Sequence, residues 1–207
     1  MDYAKKHFYY GKKEKDKKYG KKSIIAFSKK LSQPLHNFES RDTQKSALEV
    51  FEKLQLYLEV SKKSHAPQSA ERTLSGGIET PYSPVVRSIK QFIEDIFPKK
   101  ELRNEVYAQV IKQMTNNPNP ESVNKGWYLL CTLVNTILPE NELLECIVVW
   151  LLTQAVESPN PAWYCLKAIQ KSIVTPERTS VPSLIEIEAS KVFKFQRIIF
   201  FFKYSNY

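Results

Sequence analysis

The stretch Leu102 to Pro118, LRNEVYAQVIKQMTNNP, together with the Gly126–Trp127 pair eight residues after it, decides how this chain folds. Leu102, Val106, Val110 and Met114 recur every four residues, with Tyr107 and Ile111 widening the stripe. At about 100° per residue, these positions cover roughly half a helix circumference, the pattern of a core-facing helix. Arg103 and Gln113 intrude on that arc and Gln109 lies at its edge. A buried guanidinium or amide must find hydrogen-bond partners. Periodicity leaves two readings open: these side chains tie neighbouring loops to the helix, or they sit at its rim and reach water.

Working outward, most segments read as helices. Residues 43–60 place Ala47, Val50, Phe51, Leu54, Tyr57 and Leu58 on one face, with Asp42 or Thr43 available as cap. Residues 61–82 are rich in Ser, Pro and Gly and form a long loop. Ser83–Pro84 offers an N-cap and a first-turn proline for an amphipathic helix carrying Val85, Val86, Ile89, Phe92, Ile93, Ile96 and Phe97, which Pro98 ends. After the NNPNP turn, Asn119–Pro120 starts a helix expected to reach Leu138, in which Gly126 admits a close neighbour beside Trp127. Residues 140–154 are apolar nearly all round from Leu143, as expected of a central helix. The next helix carries Trp163, Leu166, Ile169 and Ile173, and Ser183 to Glu186 has capping-box spacing. The end, VFKFQRIIFFFKYSNY, turns β-branched and aromatic and reads as a strand. The expected fold class is all-α, a compact multi-helix bundle.

Four segments follow: a basic disordered tail over 1–22, a helical domain over 23–180, a linker helix over 181–191, and a short β-like segment over 192–207 that reads as the truncated start of a further domain. The charge is concentrated in the first. Residues 1–30 hold eleven lysines against Asp2, Glu14 and Asp16, so they supply +8 of the chain's net +9. Such an arm, with Lys12, Lys13, Lys17 and Lys18 among interspersed tyrosines, suits an acidic polymer or an anionic surface.

The chemistry of catalysis is not spelled out. His7, His36 and His65 are scattered and fall in no metal-binding spacing, and no Gly-rich phosphate loop follows a strand. Glu101 and Glu105, one helical turn apart, read as solvated or cap-forming carboxylates. Cys131, Cys146 and Cys165 are odd in number and set in apolar patterns, which suits reduced core thiols of an intracellular protein. The expectation is a chain that is not an enzyme, with no metal and no cofactor.

The segment LRNEVYAQVIKQMTNNP followed by KGWYLL resembles the signature of the myosin tail homology 4 (MyTH4) domain, an L-R-D-E-x-Y-x-Q-x-x-K-Q helix, a T-x-N-P turn and G-W-x-L-L. Leu102, Arg103, Glu105, Tyr107, Gln109, Gln113, Pro118, Gly126 and Trp127 are the signature positions to which a structural role is assigned. Asn104 stands where the family usually has aspartate, and PSLIEIEA at 182–189 resembles the link into a following FERM domain. The resemblance implies a non-enzymatic module of unconventional myosin or kinesin tails, cytoplasmic and cytoskeleton-associated. It would bind microtubules through their acidic tubulin tails, or cargo protein tails together with a FERM domain. Lys99, Lys100, Lys112 and Lys125, around the signature helix, are the candidate contacts, with the lysine arm as a supplement. The alternative is a nucleic-acid- or anionic-membrane-binding protein acting through that arm alone.

Overall fold

The computed structural model describes residues 2–9, 25–63 and 82–191. Among them the helices are α1 (Asp2–His7), α2 (Arg41–Lys63), α3 (Pro84–Ile96), α4 (Arg103–Met114), α5 (Pro120–Leu133), α6 (Asn141–Gln154), α7 (Pro159–Val174) and α8 (Leu184–Ala189). A 3₁₀ turn over Lys100–Leu102 leads into α4. The described residues contain no strand, and the bundle is the all-α one that the apolar periodicity implies.

The signature helix α4 lies against α5 and α2; α2 also packs on α3, α5 on α7, and α7 on α6. Leu102, Val106, Val110 and Met114 are all buried, as their spacing demands. The NNPNP turn uses its residues as turn chemistry predicts. Asn116 takes φ 56°, a left-handed conformation that asparagine tolerates better than most residues. The Asn117 amide donates to the Gln113 carbonyl at 2.7 Å, and the Asn119 side chain caps α5 by accepting from the Glu121 and Ser122 amides. At Gly126 helix α5 comes close to α4: a Cβ there would lie 2.5 Å from Met114 Cγ. Beside it, buried Trp127 stacks on Trp150 of α6 with ring centroids 5.5 Å apart.

Several expectations are corrected. Helix α2 begins before Thr43 and takes its cap from Ser40, whose hydroxyl accepts from the Thr43 amide; it also runs on through Ser61–Lys63, into the expected loop. Ser83 stands at the N-cap of α3, but its side chain makes no cap bond and instead accepts from Lys191 Nζ at 2.9 Å. Helix α5 stops at Leu133 rather than Leu138, because side chains of other helices take the carbonyls that follow: Tyr107 Oη donates to Ile137 O and Ser172 Oγ to Val134 O, both at 2.8 Å. Helix α6 is peripheral, not central. It buries Leu143, Leu144, Ile147 and Leu151 but leaves Cys146, Val149 and Leu152 exposed. Helix α7 faces inward with the small residues Ala162, Cys165 and Ala168 together with Ile169, so Cys165 Sγ lies 3.5 Å from Cys131 Sγ while Ile173 points outward.

The N-terminus differs most. Asp2–His7 is helical, and Tyr3 and Phe8 are buried in the core cluster, so this part of the expected disordered tail is docked. Aromatic burial outweighs the solvation of the neighbouring lysines here, and Lys6 and His7 both reach Glu142 of α6 at 2.9–3.2 Å. The remainder of that tail, most of the 61–82 loop and the 192–207 segment lie outside the described residues.

The α4–α5 approach gives a direct test. Gly126→Val should lower unfolding free energy in urea by about 1–3 kcal/mol, because Met114 must leave its place. Adding Met114→Ala should recover part of that loss.

Candidate functional site

The polar residues of α4 form one connected system. Glu105 is fully buried. Its Oε1 accepts from the Leu35 amide at 2.9 Å and from Gln109 Nε2 at 2.8 Å; its Oε2 accepts from the His36 amide at 2.9 Å and lies 2.7 Å from His36 Nδ1. Gln109 Nε2 also donates to Ala47 O of α2 at 2.9 Å. One turn past Gln109, Lys112 Nζ donates to Ala26 O at 2.6 Å and Gln113 Nε2 to Ser28 O at 2.9 Å, while the Phe27 amide donates to Thr115 O at 2.8 Å. Apart from the isolated bridge of His36 with Phe8, the segment 25–40 has no helix or ladder of its own, so α4 satisfies its backbone with side chains at positions i, i+7 and i+8.

The system extends past His36. With Nδ1 2.7 Å from the Glu105 carboxylate, Nε2 of the same ring lies 2.9 Å from the Tyr3 hydroxyl. Burial is the main reason that the Tyr3 phenol is pushed well above its usual range, so it stays protonated as a donor. Asn104 bonds reciprocally with Glu140 at the start of α6: Nδ2 donates to its carboxylate and Oδ1 accepts from its amide, each at 2.9 Å. An aspartate could not donate to Glu140 while ionised, so the departure from the family pattern matches this particular neighbour. Glu105, read from spacing as a solvated or cap-forming carboxylate and from the family resemblance as a structural position, is thus the hub of the interior. The sequence signal for this was its four- and eight-residue spacing from Gln109 and Gln113.

The candidate lysines separate into two kinds. Lys112 and Lys125 are buried and structural, which removes them as surface contacts. Lys125 Nζ donates to Leu58 O at 3.0 Å, and Tyr57 Oη returns the link by donating to Lys125 O at 2.8 Å. Burial lowers the Lys125 pKa, partly offset by nearby Glu121. Lys99 is half-buried and Lys100 exposed, on the elbow that leads into α4. Lys12, Lys13, Lys17 and Lys18 lie outside the described residues. Arg103 pairs with Glu177 of the connector after α7, and Pro118 is an exposed turn residue. Among the described residues, no group of three or more His, Cys, Asp or Glu side chains is placed to hold a metal, and no helix is long and apolar enough to cross a membrane.

Removing the hub leaves four donors without an acceptor. Glu105→Ala should therefore cost about 3–5 kcal/mol in urea unfolding. Gln113→Leu, which loses a single anchor, should cost about 1–3 kcal/mol, and Lys100→Ala should stay within about 0.5 kcal/mol of the parent.

Comparison with known proteins gives this arrangement a family. Residues 89–189 match the MyTH4 domain family. The high molecular weight form of myosin-1 from Acanthamoeba castellanii is 33% identical over 102 residues, which is 49% of this chain and 6% of that protein, so the chain spans only a small part of such a myosin. The solved Dictyostelium discoideum Myosin VII MyTH4-FERM MF1 domain shares the fold at 24% identity with a TM-score of 0.70, over 93% of this chain and 36% of that one. The human Myosin 7b C-terminal MyTH4-FERM domain, solved in complex with the harmonin-a PDZ3 domain, shares it at 22% identity with a TM-score of 0.66, over 93% of this chain and 35% of that one. The signature helix and these matches agree: residues 89–189 of this chain match the MyTH4 domain found in myosin tails.

Proposed function

We propose that this chain is a non-enzymatic interaction module of motor-tail type, cytoplasmic and cytoskeleton-associated, that binds microtubules and, alongside a FERM domain, cargo proteins. The observation that carries the reading is the MyTH4 assignment of residues 89–189, joined to where the lysines lie. Lys112 and Lys125 are committed to the interior, whereas Lys100 is exposed and Lys99 partly so at the elbow before α4. An outward basic elbow on a chain of net charge +9 attracts acidic polymers such as tubulin tails at long range. The cargo half of the reading is supported by the fold it shares with the Myosin 7b domain, which was solved with a PDZ partner.

Cosedimentation with microtubules across a salt series tests the first half. Binding should be present at low salt and fall as salt screens the exposed charges. The charge-reversed pair Lys99→Glu with Lys100→Glu should weaken binding by about fivefold or more at constant salt. Absence of pelleting even at low salt would contradict the microtubule reading.

A further inference from the structure

At the N-terminal end of α4, the turn 134–139, the end of α7 and the connector 175–182 enclose a cleft of about 300 Å³. A second hollow, of about 470 Å³, shares Asn135, Ser172, Thr175 and Arg178 with it, so the two adjoin and are taken together as a groove. Part of the lining is apolar: Val134, Ile137, Leu144 and Ile173. Ile173 is 61% exposed, and the adjacent Val174 is 79% exposed. Two arginines, Arg103 and Arg178, stand in the wall.

Both arginines are held by carboxylates that remain about half exposed. Arg103 Nη2 contacts Glu177 Oε1, and Arg178 Nη1 donates to Glu186 Oε1 at 2.8 Å; the side chains of Glu177 and Glu186 are 52% and 48% exposed. Lys100 Nζ lies 4.0 Å from Glu177, and with Lys171 in the second hollow the lining holds three cations, Arg103, Arg178 and Lys171, against the two carboxylates Glu177 and Glu186. Arg103 Nε is buried without a hydrogen-bond partner, and the contact to Glu177 is made through Nη2. Glu177 sits on the connector, outside any helix, and an exposed ion pair of this kind is readily exchanged.

We propose that this groove is a binding site for an acidic peptide of a partner protein, one that carries apolar side chains beside its carboxylates. Glu177 acts as an intramolecular stand-in: a peptide carboxylate takes its place on Arg103, where the fork geometry of the guanidinium favours a two-point contact. The neighbouring apolar side chain then covers Ile173 and Val174. The cation excess selects an acidic occupant over a basic one. This assignment rests on the domain being a protein-binding module, and it adds the chemical class of the partner and the place where it docks.

Fluorescence anisotropy of the full chain with a labelled glutamate-rich peptide carrying spaced leucines tests the site, with a glutamine-for-glutamate twin as control. Glu177→Gln removes the internal competitor from an exposed position and should tighten binding by about three- to tenfold. Arg178→Gln should weaken it by a similar factor, and the glutamine twin should bind none of the three proteins. Unchanged or weaker binding by Glu177→Gln, equal binding of the twin, or no binding to any variant would overturn the proposal. If the peptide fails while microtubules still pellet the chain, the groove is overturned alone; loss of both removes the module reading as well.

Discussion

The interior of this protein depends on one buried carboxylate. Glu105 receives two backbone amides, one imidazole and one side-chain amide, and through them it fixes the segment 25–40 along α4. A carboxylate without exposure survives in a core only when its oxygens are fully used. The converse holds for the segment. Its backbone has no regular partner beyond the bridge to Phe8, and burial against α4 is tolerable because Glu105, Lys112 and Gln113 supply acceptors and donors at both ends. The N-terminal helix is a further layer on the same system, docked by Tyr3 on His36 and by Phe8 in the core.

This arrangement explains why the signature residues identify the scaffold more directly than they identify a binding surface. Gln109, Lys112, Gln113 and Lys125 spend their polar groups on carbonyls of other segments, so they are not available to a partner. Arg103 differs, because its pairing with Glu177 is made at the edge of a groove and on a connector. The charge that remains outward lies on the elbow and around that groove. Scaffold and surface therefore meet at the N-terminal end of α4.

Much of the fold was legible in the sequence because it is written in local chemistry. Pro84 and Asn119–Pro120 mark helix starts, Pro98 and the NNPNP turn mark ends, and the Ser183–Glu186 capping box forms with both of its bonds. The stripe leaves two readings for Gln109 and Gln113, and the structure has the anchoring one; the tight place at Gly126 follows from a glycine inside a helix beside Trp127. What was not legible depends on neighbours distant in sequence. Nothing within α6 says that Val149 and Leu152 face outward, since apolar content fixes a face only when a polar face contrasts with it. Glu105 and Glu101 look alike one turn apart, and only the approach of residues 35 and 36 separates them. Likewise, the lysines around Tyr3 and Phe8 obscure a docking site that exists only in the folded bundle.

Native-state hydrogen exchange of the Leu35 and His36 amides tests the central claim most directly. Both lie outside any helix, yet each donates to Glu105 at 2.9 Å. If that carboxylate holds the segment in place, the two amides exchange only as slowly as the core amides of α4, through opening of the whole bundle. Exchange at the rate of a solvent-exposed loop would show that the segment opens independently, and would contradict the role of Glu105 as the anchor of residues 25–40.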